Sequence, residues 1–418
     1  MKKRFGLLGE NLSHSFSPQI HAELGDYEYR LYEKRLDELE DFLRKGNFDG
    51  LNVTIPYKKN VIPFCTELSD TAKLTGSVNT IIKGKDGALS GHNTDFFGLT
   101  YLMSKANMNP AEGKTLILGS GGSSLTVQAV LKSRNSHNIV IISRTGENNY
   151  QNLDRHSDAK WIINTTPVGM FPNNGVSPLP DFKIFGECKG VIDLIYNPAK
   201  TELILQAQDA GVPAFNGLPM LVAQAKKSAE YFMNTDIVNE EIERIDSIIT
   251  RQSLNIVLIG MPGCGKTSVG LALAKKMKRE FIDTDKLIIK AAKKPIAGIF
   301  ADNSGGTTGE EKFRELETSI LQTACRQSGK VIATGGGIVT RDENRHIIRQ
   351  NSVVVYRERD ISLLPVKGRP VSQRDGLEAI AAARLPLYHS WSDYTAQGND
   401  IDQTAADIKK HFESAIFS

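Results

Sequence analysis

Two glycine-rich loops of different kinds constrain this chain more than any other feature. One is ILGSGGSS at 117–124, and the other lies in IVLIGMPGCGKTS at 256–268. Each follows an apolar run and opens a helical pattern. In that strand–turn–helix order, backbone N–H groups and the positive end of a helix converge on phosphate. Strand and helix patterns alternate throughout, which predicts an α/β protein with parallel sheets. A length of 418 residues leaves room for two or three domains.

The second loop fits G-x-x-x-x-G-K-[ST] through Gly260, Gly265, Lys266 and Thr267. Its expected nucleotide contacts are Gly260, Gly263, Cys264, Gly265, Lys266, Thr267 and Ser268. Lys266 would reach the β- and γ-phosphates of ATP, and the Thr267 hydroxyl would ligate Mg²⁺. In the first loop Gly119, Ser120, Gly121, Gly122 and Ser123 form the turn, and Ser124 stands where a third glycine is usual. A second strand, NIVIIS, ends at Ser143-Arg144-Thr145. NAD sites place an acid near that point for the ribose 2′-hydroxyl, so an arginine there points to a 2′-phosphate and hence to NADP(H).

Composition narrows the classes. Apolar residues at 40% and charged residues at 24% are ordinary for a soluble globular protein. A net charge of +3 does not imply nucleic acid. No run approaches the ~20 apolar residues of a membrane helix, and the FGLLG after MKKR is too short for a signal peptide. Cys65, Cys188, Cys264 and Cys325 show neither metal spacing nor a disulfide framework. A cytoplasmic enzyme acting on small molecules, with neither nucleic acid nor membrane as partner, is expected.

Polar clusters precede the first loop: Ser15 and Ser17 in SHSFSP, Asn52, Thr54 and Lys58 in NVTIPYK, Asn79 in GSVNTI, and Asn93, Thr94 and Asp95 in GHNTDFFG. Open α/β sheets bind ligands beyond the carboxyl ends of their strands. Hydroxyls, amides, an ammonium and a carboxylate gathered there suit a small polyhydroxylated acid. With NTTPVGM, DLIYNPAKTELI and NGLPMLVAQA, these motifs resemble shikimate dehydrogenase, in order, over about 235 residues. The resemblance implies NADPH-dependent reduction of 3-dehydroshikimate. Lys58 would be the acid, Asp95 its orienting partner, Ser15 and Ser17 the carboxylate ligands. Thr54, Asn79, Tyr196 and Gln224 would hold ring hydroxyls, and Leu194 and Gly217 would line the nicotinamide site. Two departures stand out. Gly146, Glu147 and Asn148 follow Thr145 where the family usually has another basic residue, and the stretch from Thr145 to Asn164 is short by about a helix.

In the last third, FIDTD places Asp283 and Asp285 one residue apart at a strand end. Asp283 would hold Mg²⁺ through water, and Asp285 would polarise the hydroxyl to be phosphorylated. GEEKFRELE, VIATGGGIV, GRP and RLPLY follow, and the set resembles shikimate kinase. By that resemblance Asp285, Arg314, Gly336 and Arg384 would bind shikimate, and Arg369 would reach the ATP phosphates from a lid. The segment 301–311 looks about five residues longer than is usual, and the lid sequence VKGRPVSQ is short of basic residues.

The expected layout is a dehydrogenase-like two-domain unit followed by a P-loop kinase domain of the nucleoside-monophosphate-kinase type with a parallel sheet. Residues 1–100 with 216–240 would form the substrate domain and 101–215 a Rossmann-like NADP domain. A helical connector at 241–252 would lead to a kinase domain at 253–418. Two other readings are a quinate preference in the first site and a non-catalytic metabolite sensor. The presence of Lys58, Asp95, Lys266, Asp283 and Asp285 speaks against the sensor.

Overall fold

The computed structural model describes residues 2–12, 15–365 and 370–415. Arg369, expected to reach ATP from the lid, lies outside them. Among the described residues no helix is long and apolar enough to cross a membrane.

Three sheets organise the described residues. The first contains β1 (Arg4–Gly9), β2 (Glu28–Glu33), β3 (Gly50–Val53), β4 (Glu67–Leu68), β5 (Thr80–Lys83) and β6 (Leu89–His92), in the order β2-β1-β3-β5-β6-β4. β5 runs antiparallel to both β3 and β6, so this sheet is mixed rather than wholly parallel. The second contains β7 (Thr115–Leu118), β8 (Ile139–Ile142), β9 (Trp161–Asn164), β10 (Gly190–Asp193) and β11 (Ala214–Phe215), ordered β11-β10-β9-β7-β8 and all parallel. The third contains β12 (Asn255–Ile259), β13 (Phe281–Asp283), β14 (Val331–Ala333), β15 (Ser352–Arg357) and β16 (Tyr394–Ala396), ordered β13-β14-β12-β15-β16 and parallel throughout.

Strand composition explains these positions. TLIL of β7 and NIVLI of β12 are buried at every residue, as central parallel strands covered on both faces must be. EYRLYE of β2 has no buried residue and lies at a sheet edge.

The chain divides into two compact units. Unit 1 comprises residues 1–168, 177–196 and 206–249, and unit 2 comprises 169–176, 197–205 and 250–418. Two short segments within 101–215 therefore cluster with unit 2. Within unit 1 the Asp95–Lys105 helix crosses the Leu218–Met233 helix closely because Gly98 has no side chain. A Cβ there would sit 2.6 Å from the Met220 carbonyl oxygen. The expected connector forms a helix, Glu240–Ser253, whose Ile242, Ile245 and Ile249 are buried against the Ser17–Leu24 and Leu218–Met233 helices. It packs as part of a core rather than hanging as a tether.

Candidate functional site

In unit 1 the residues at strand ends meet. Lys58 follows β3, Asn79 immediately precedes β5, and Asp95 opens its helix, where a negative charge faces the positive helix end. Lys58 Nζ donates to Asp95 Oδ2 at 2.7 Å, and Asn79 Nδ2 donates to Asp95 Oδ1 at 2.9 Å. Both oxygens of Asp95 are thus committed, and the ammonium is held half-buried at the mouth of the sheet. Gln224 joins them from the Leu218–Met233 helix, its Oε1 3.4 Å from Asn79 Nδ2 and its amide donating to the Leu221 carbonyl.

Beneath this group lies a buried cluster in which sequence reading marks Asn52 and Thr94 but not Thr80 or Ser228. Thr80, Thr94 and Ser228 bring their hydroxyls within 2.8–3.3 Å of one another. Asn52 donates to Ser228 at 2.8 Å and accepts from the Tyr29 hydroxyl at 2.8 Å. Asn52 is therefore scaffolding, not a ligand group. Asn93 is also structural: its amide binds Thr75 and Ser77 and its oxygen accepts from the Phe96 N–H. Ser17 is buried and Ser15 half-buried, with the Ser17 N–H on Ser15 Oγ at 3.2 Å. Thr54 is half-buried just after β3, and Tyr196 packs against Phe16, burial raising its hydroxyl pKa.

The first glycine-rich loop joins β7 to the Gly122–Ser133 helix. Gly119 takes φ +100° and passes close to Thr165 and Thr166, so this position requires glycine. At Gly121 and Gly122 a Cβ would meet no protein atom, which leaves the helix N-terminus open to a ligand. Ser120 and Ser123 are exposed beside them, and Ser124 is fully buried, so only a small side chain fits there. After β8, Ser143 Oγ accepts from the Gly146 N–H at 2.9 Å and fixes the turn. Arg144 and Thr145 are exposed on that turn, as is Glu147. Only a short 3-10 turn, Leu153–His156, separates β8 from β9, in keeping with the missing helix. Gly217 lies against the Leu194 carbonyl, where any side chain would collide.

In unit 2 the site residues again follow strand ends, and the sheet order sets them in a row. Asp285 comes just after β13, Gly335–Gly337 after β14, and the 260–268 loop after β12. They border a cleft of about 620 Å³ together with Arg314 and Arg384. Gly260, Gly263 and Gly265 all take positive φ. Lys266 Nζ, buried, lies on the carbonyls of Gly260 (2.8 Å) and Met261 (3.0 Å), and Cys264 is buried under it with Sγ 3.8 Å away. Ser268 lines the cleft. Thr267 Oγ1 donates to Asp283 Oδ2 at 2.8 Å. Those two hard oxygen donors suit Mg²⁺, which takes few protein ligands and keeps waters; among the described residues no group of three or more His, Cys, Asp or Glu forms a metal cage.

Glu317, which sequence reasoning passed over, holds Arg314 Nη1 at 2.5 Å and is wholly buried. Its signal was the i, i+3 spacing within FRELE. Burial pushes the Glu317 and Asp285 carboxyls above the ordinary range, against the opposing pull of Arg314 on Glu317 and of Lys266 on Asp285. Glu317 Oε1 and Asp285 Oδ1 have no hydrogen-bond partner and are shut from solvent. Both face Gly335, where a Cβ would lie 2.6 Å and 2.9 Å from them. A Cβ on Gly336 would strike Pro262 at 2.7 Å, and one on Gly337 would collide with the Arg314 guanidinium. Arg384 donates to the Gly336 carbonyl at 3.1 Å, and Tyr388 donates to the same oxygen. The long 301–311 segment is pinned by Lys312, whose Nζ meets the Asp302 and Ser304 carbonyls at 3.0 and 2.6 Å.

Residues 7–81 match the family model of the shikimate dehydrogenase substrate binding domain. Shikimate dehydrogenase (NADP(+)) of Clostridium perfringens strain 13 is 33% identical over 264 residues, covering 58% of this chain and 97% of that protein. The chain belongs to the shikimate dehydrogenase family. A solved chorismate mutase/shikimate 5-dehydrogenase fusion protein from Clostridium acetobutylicum is 33% identical, with a TM-score of 0.56 over 60% of this chain and 97% of that one. The Thermus thermophilus shikimate 5-dehydrogenase solved with NADP(H) and shikimate is 26% identical, with a TM-score of 0.53 over 58% and 98%. Behind this dehydrogenase part, residues 262–414 match the shikimate kinase family model. The chain is a bifunctional enzyme of the shikimate pathway.

Proposed function

We propose that unit 1 reduces 3-dehydroshikimate to shikimate with NADPH, and that unit 2 phosphorylates the 3-hydroxyl of shikimate with ATP and Mg²⁺. The observation that carries the first half is the Lys58–Asp95–Asn79 arrangement at the strand ends. Bound NADPH supplies the hydride. Lys58 donates the proton to the ketone oxygen, and Asp95 keeps the ammonium aimed. Asn79, Gln224, Thr54 and Tyr196 hold ring hydroxyls, and Ser15 and Ser17 take the carboxylate. The open glycines at 121 and 122, the turn at Ser143–Thr145 and the Leu194–Gly217 contact support a cofactor along that face. The exposed Arg144 supports NADP over NAD.

For the second half, the unpartnered oxygens of Asp285 and Glu317 beside Arg314 and Arg384 support a site for a hydroxylated acid. The arginines bind the carboxylate. Asp285, its proton affinity raised by burial, accepts the hydroxyl proton. Lys266 and the loop amides hold the transferring phosphoryl group, while Thr267 and Asp283 hold Mg²⁺, which neutralises charge. Residues 1–100 with 216–240, 101–215, 241–252 and 253–418 serve as substrate domain, cofactor domain, connector and kinase, with segments 169–176 and 197–205 joining the last. A cytoplasmic location fits the four unpaired cysteines.

One incubation tests both halves: purified protein with 3-dehydroshikimate, NADPH, ATP and Mg²⁺, read by mass spectrometry. Shikimate 3-phosphate is the expected product. Shikimate alone refutes the kinase half, and unchanged 3-dehydroshikimate refutes the dehydrogenase half.

A further inference from the structure

Among the described residues four cations border the cleft of unit 2: Lys266, Arg314, Arg359 and Arg384. Three of them are tied. Lys266 rests on two loop carbonyls, Arg314 on Glu317, and Arg384 on the Gly336 carbonyl. Arg359 makes no hydrogen bond or ion pair among the described residues, and its Nε is shut from solvent with no acceptor. A buried guanidinium N–H without a partner carries an uncompensated desolvation penalty. An arriving anion would relieve it.

The sheet order says which anion. Along the carboxyl edge the sequence of strands is β13, β14, β12, β15. Asp285 and the glycine triplet lie on one side of the phosphate loop, following β13 and β14. Arg359 lies on the other, two residues beyond β15. That strand end is held tightly against the loop: a Cβ on Gly260 would sit 2.6 Å from the Arg357 carbonyl oxygen. The neighbouring Arg357 cannot serve, because its guanidinium is spent on the carbonyls of Glu358, Ala396 and Gly398. Among the described residues that border the cleft, Arg359 is therefore the one cation without a partner on the side of the loop away from the hydroxyl acceptor.

We propose that Arg359 binds the phosphate chain of the nucleotide, as a cation placed by the sheet itself and separate from the lid. Its planar fork matches phosphate oxygens in two-point contact, which a lysine does not reproduce. This rests on the kinase reading above and adds a residue to it.

The test uses the full chain carrying Arg359→Ala or Arg359→Lys. The Kd for Mg·ADP is measured by calorimetry, alongside the KM values for ATP and for shikimate. The alanine variant is expected to weaken Mg·ADP binding and raise the ATP KM by roughly tenfold, the size of one lost charge-assisted contact. The lysine variant should recover part of that loss, and the shikimate KM should stay within about twofold of wild type. Unchanged nucleotide binding in both variants, with wild-type kinase activity intact, overturns the assignment and leaves the kinase reading standing. A rise in shikimate KM alone also overturns it, since it places Arg359 on the acceptor side. Wild-type protein that neither binds Mg·ADP nor phosphorylates shikimate overturns the assignment and the kinase reading together. If the alanine variant fails to fold, the lysine variant, which keeps the charge, decides the matter through the same two constants.

Discussion

Asn79 owes its orientation to a backbone group. The Thr94 N–H can only donate, and it meets Asn79 Oδ1 at 2.7 Å, so the NH₂ of that side chain must point to Asp95. Asn79→Asp would set two carboxylates side by side, and the dehydrogenase kcat/KM is expected to fall by at least about 100-fold. Lys58→Ala should cost roughly 10³-fold in dehydrogenase turnover while shikimate still binds. Binding measured by fluorescence or calorimetry separates the two effects, and unchanged turnover would remove Lys58 from the proton transfer. On the kinase side, Asp285 is held above the usual carboxylate range by burial and must be ionised to accept a proton. The acid limb of kcat/KM for shikimate should therefore fall above the ordinary aspartate value of 3.8, with activity lost as pH drops through the raised value. A limb at or below pH 3.8, the ordinary value of an aspartate, would exclude Asp285 as the base. At this scale the sequence disclosed the groups that face a ligand, because SHSFSP, NVTIPYK and FIDTD carry them in fixed spacing. It did not disclose Ser228 or Thr80. A serine in KKSAEYF looks like any helical serine until the fold sets it 2.8 Å from a threonine 148 positions away.

Elements explain what single residues leave obscure. Of the three consecutive glycines after β14 the sequence reading singles out only Gly336, yet each is required by a different neighbour: Glu317 and Asp285, Pro262, and Arg314. Gly337→Ala is expected to leave the protein folded and to abolish most phosphorylation by displacing the guanidinium, raising the shikimate KM at least about tenfold. The Glu240–Ser253 helix offers a stability test. Its Asp246 carboxyl is pushed up to about 6, chiefly by burial, with Lys105 3.7 Å away pulling it down. A folded-state pKa above the unfolded value of 3.8 means the folded chain binds the proton more tightly, so stability is lost as pH rises from about 4 through 6. Asp246→Asn should raise the unfolding midpoint at pH 8 and change it little at pH 4, by an amount bounded near 3 kcal/mol. Parallel strands, their helices and the two phosphate loops were legible because buried strands read as apolar runs. The antiparallel β5–β6 pair was passed over, although Asp86-Gly87 between the two strands, with Gly87 at φ +85°, marks its turn.

Unit 2 is assembled from three separated stretches of chain. In the stretch 197–205, the Lys200 N–H donates to the Gln350 carbonyl at 2.8 Å, and Glu202 Oε1 lies 2.9 Å from His346 Nδ1. A chain beginning at Thr250 therefore lacks parts of its own fold. Its unfolding midpoint should lie several degrees below that of unit 2 within the intact protein, as expected for the loss of a few kcal/mol of packing and hydrogen bonds. Equal midpoints in calorimetry would show that the short stretches contribute nothing. No motif foretold this division, because NTTPVGM and DLIYNPAKTELI carry the signature of the first family while some of their residues pack with the second.

The consequence reaches into how such a protein can change over generations. A gene in which two coding regions were simply joined end to end could be cut at the joint and its halves inherited separately. Here two strips of the upstream region, 169–176 and 197–205, group with the downstream unit, so recombination at the boundary would deliver that unit without them. Divorce of the two catalysts would first require the downstream one to repair itself.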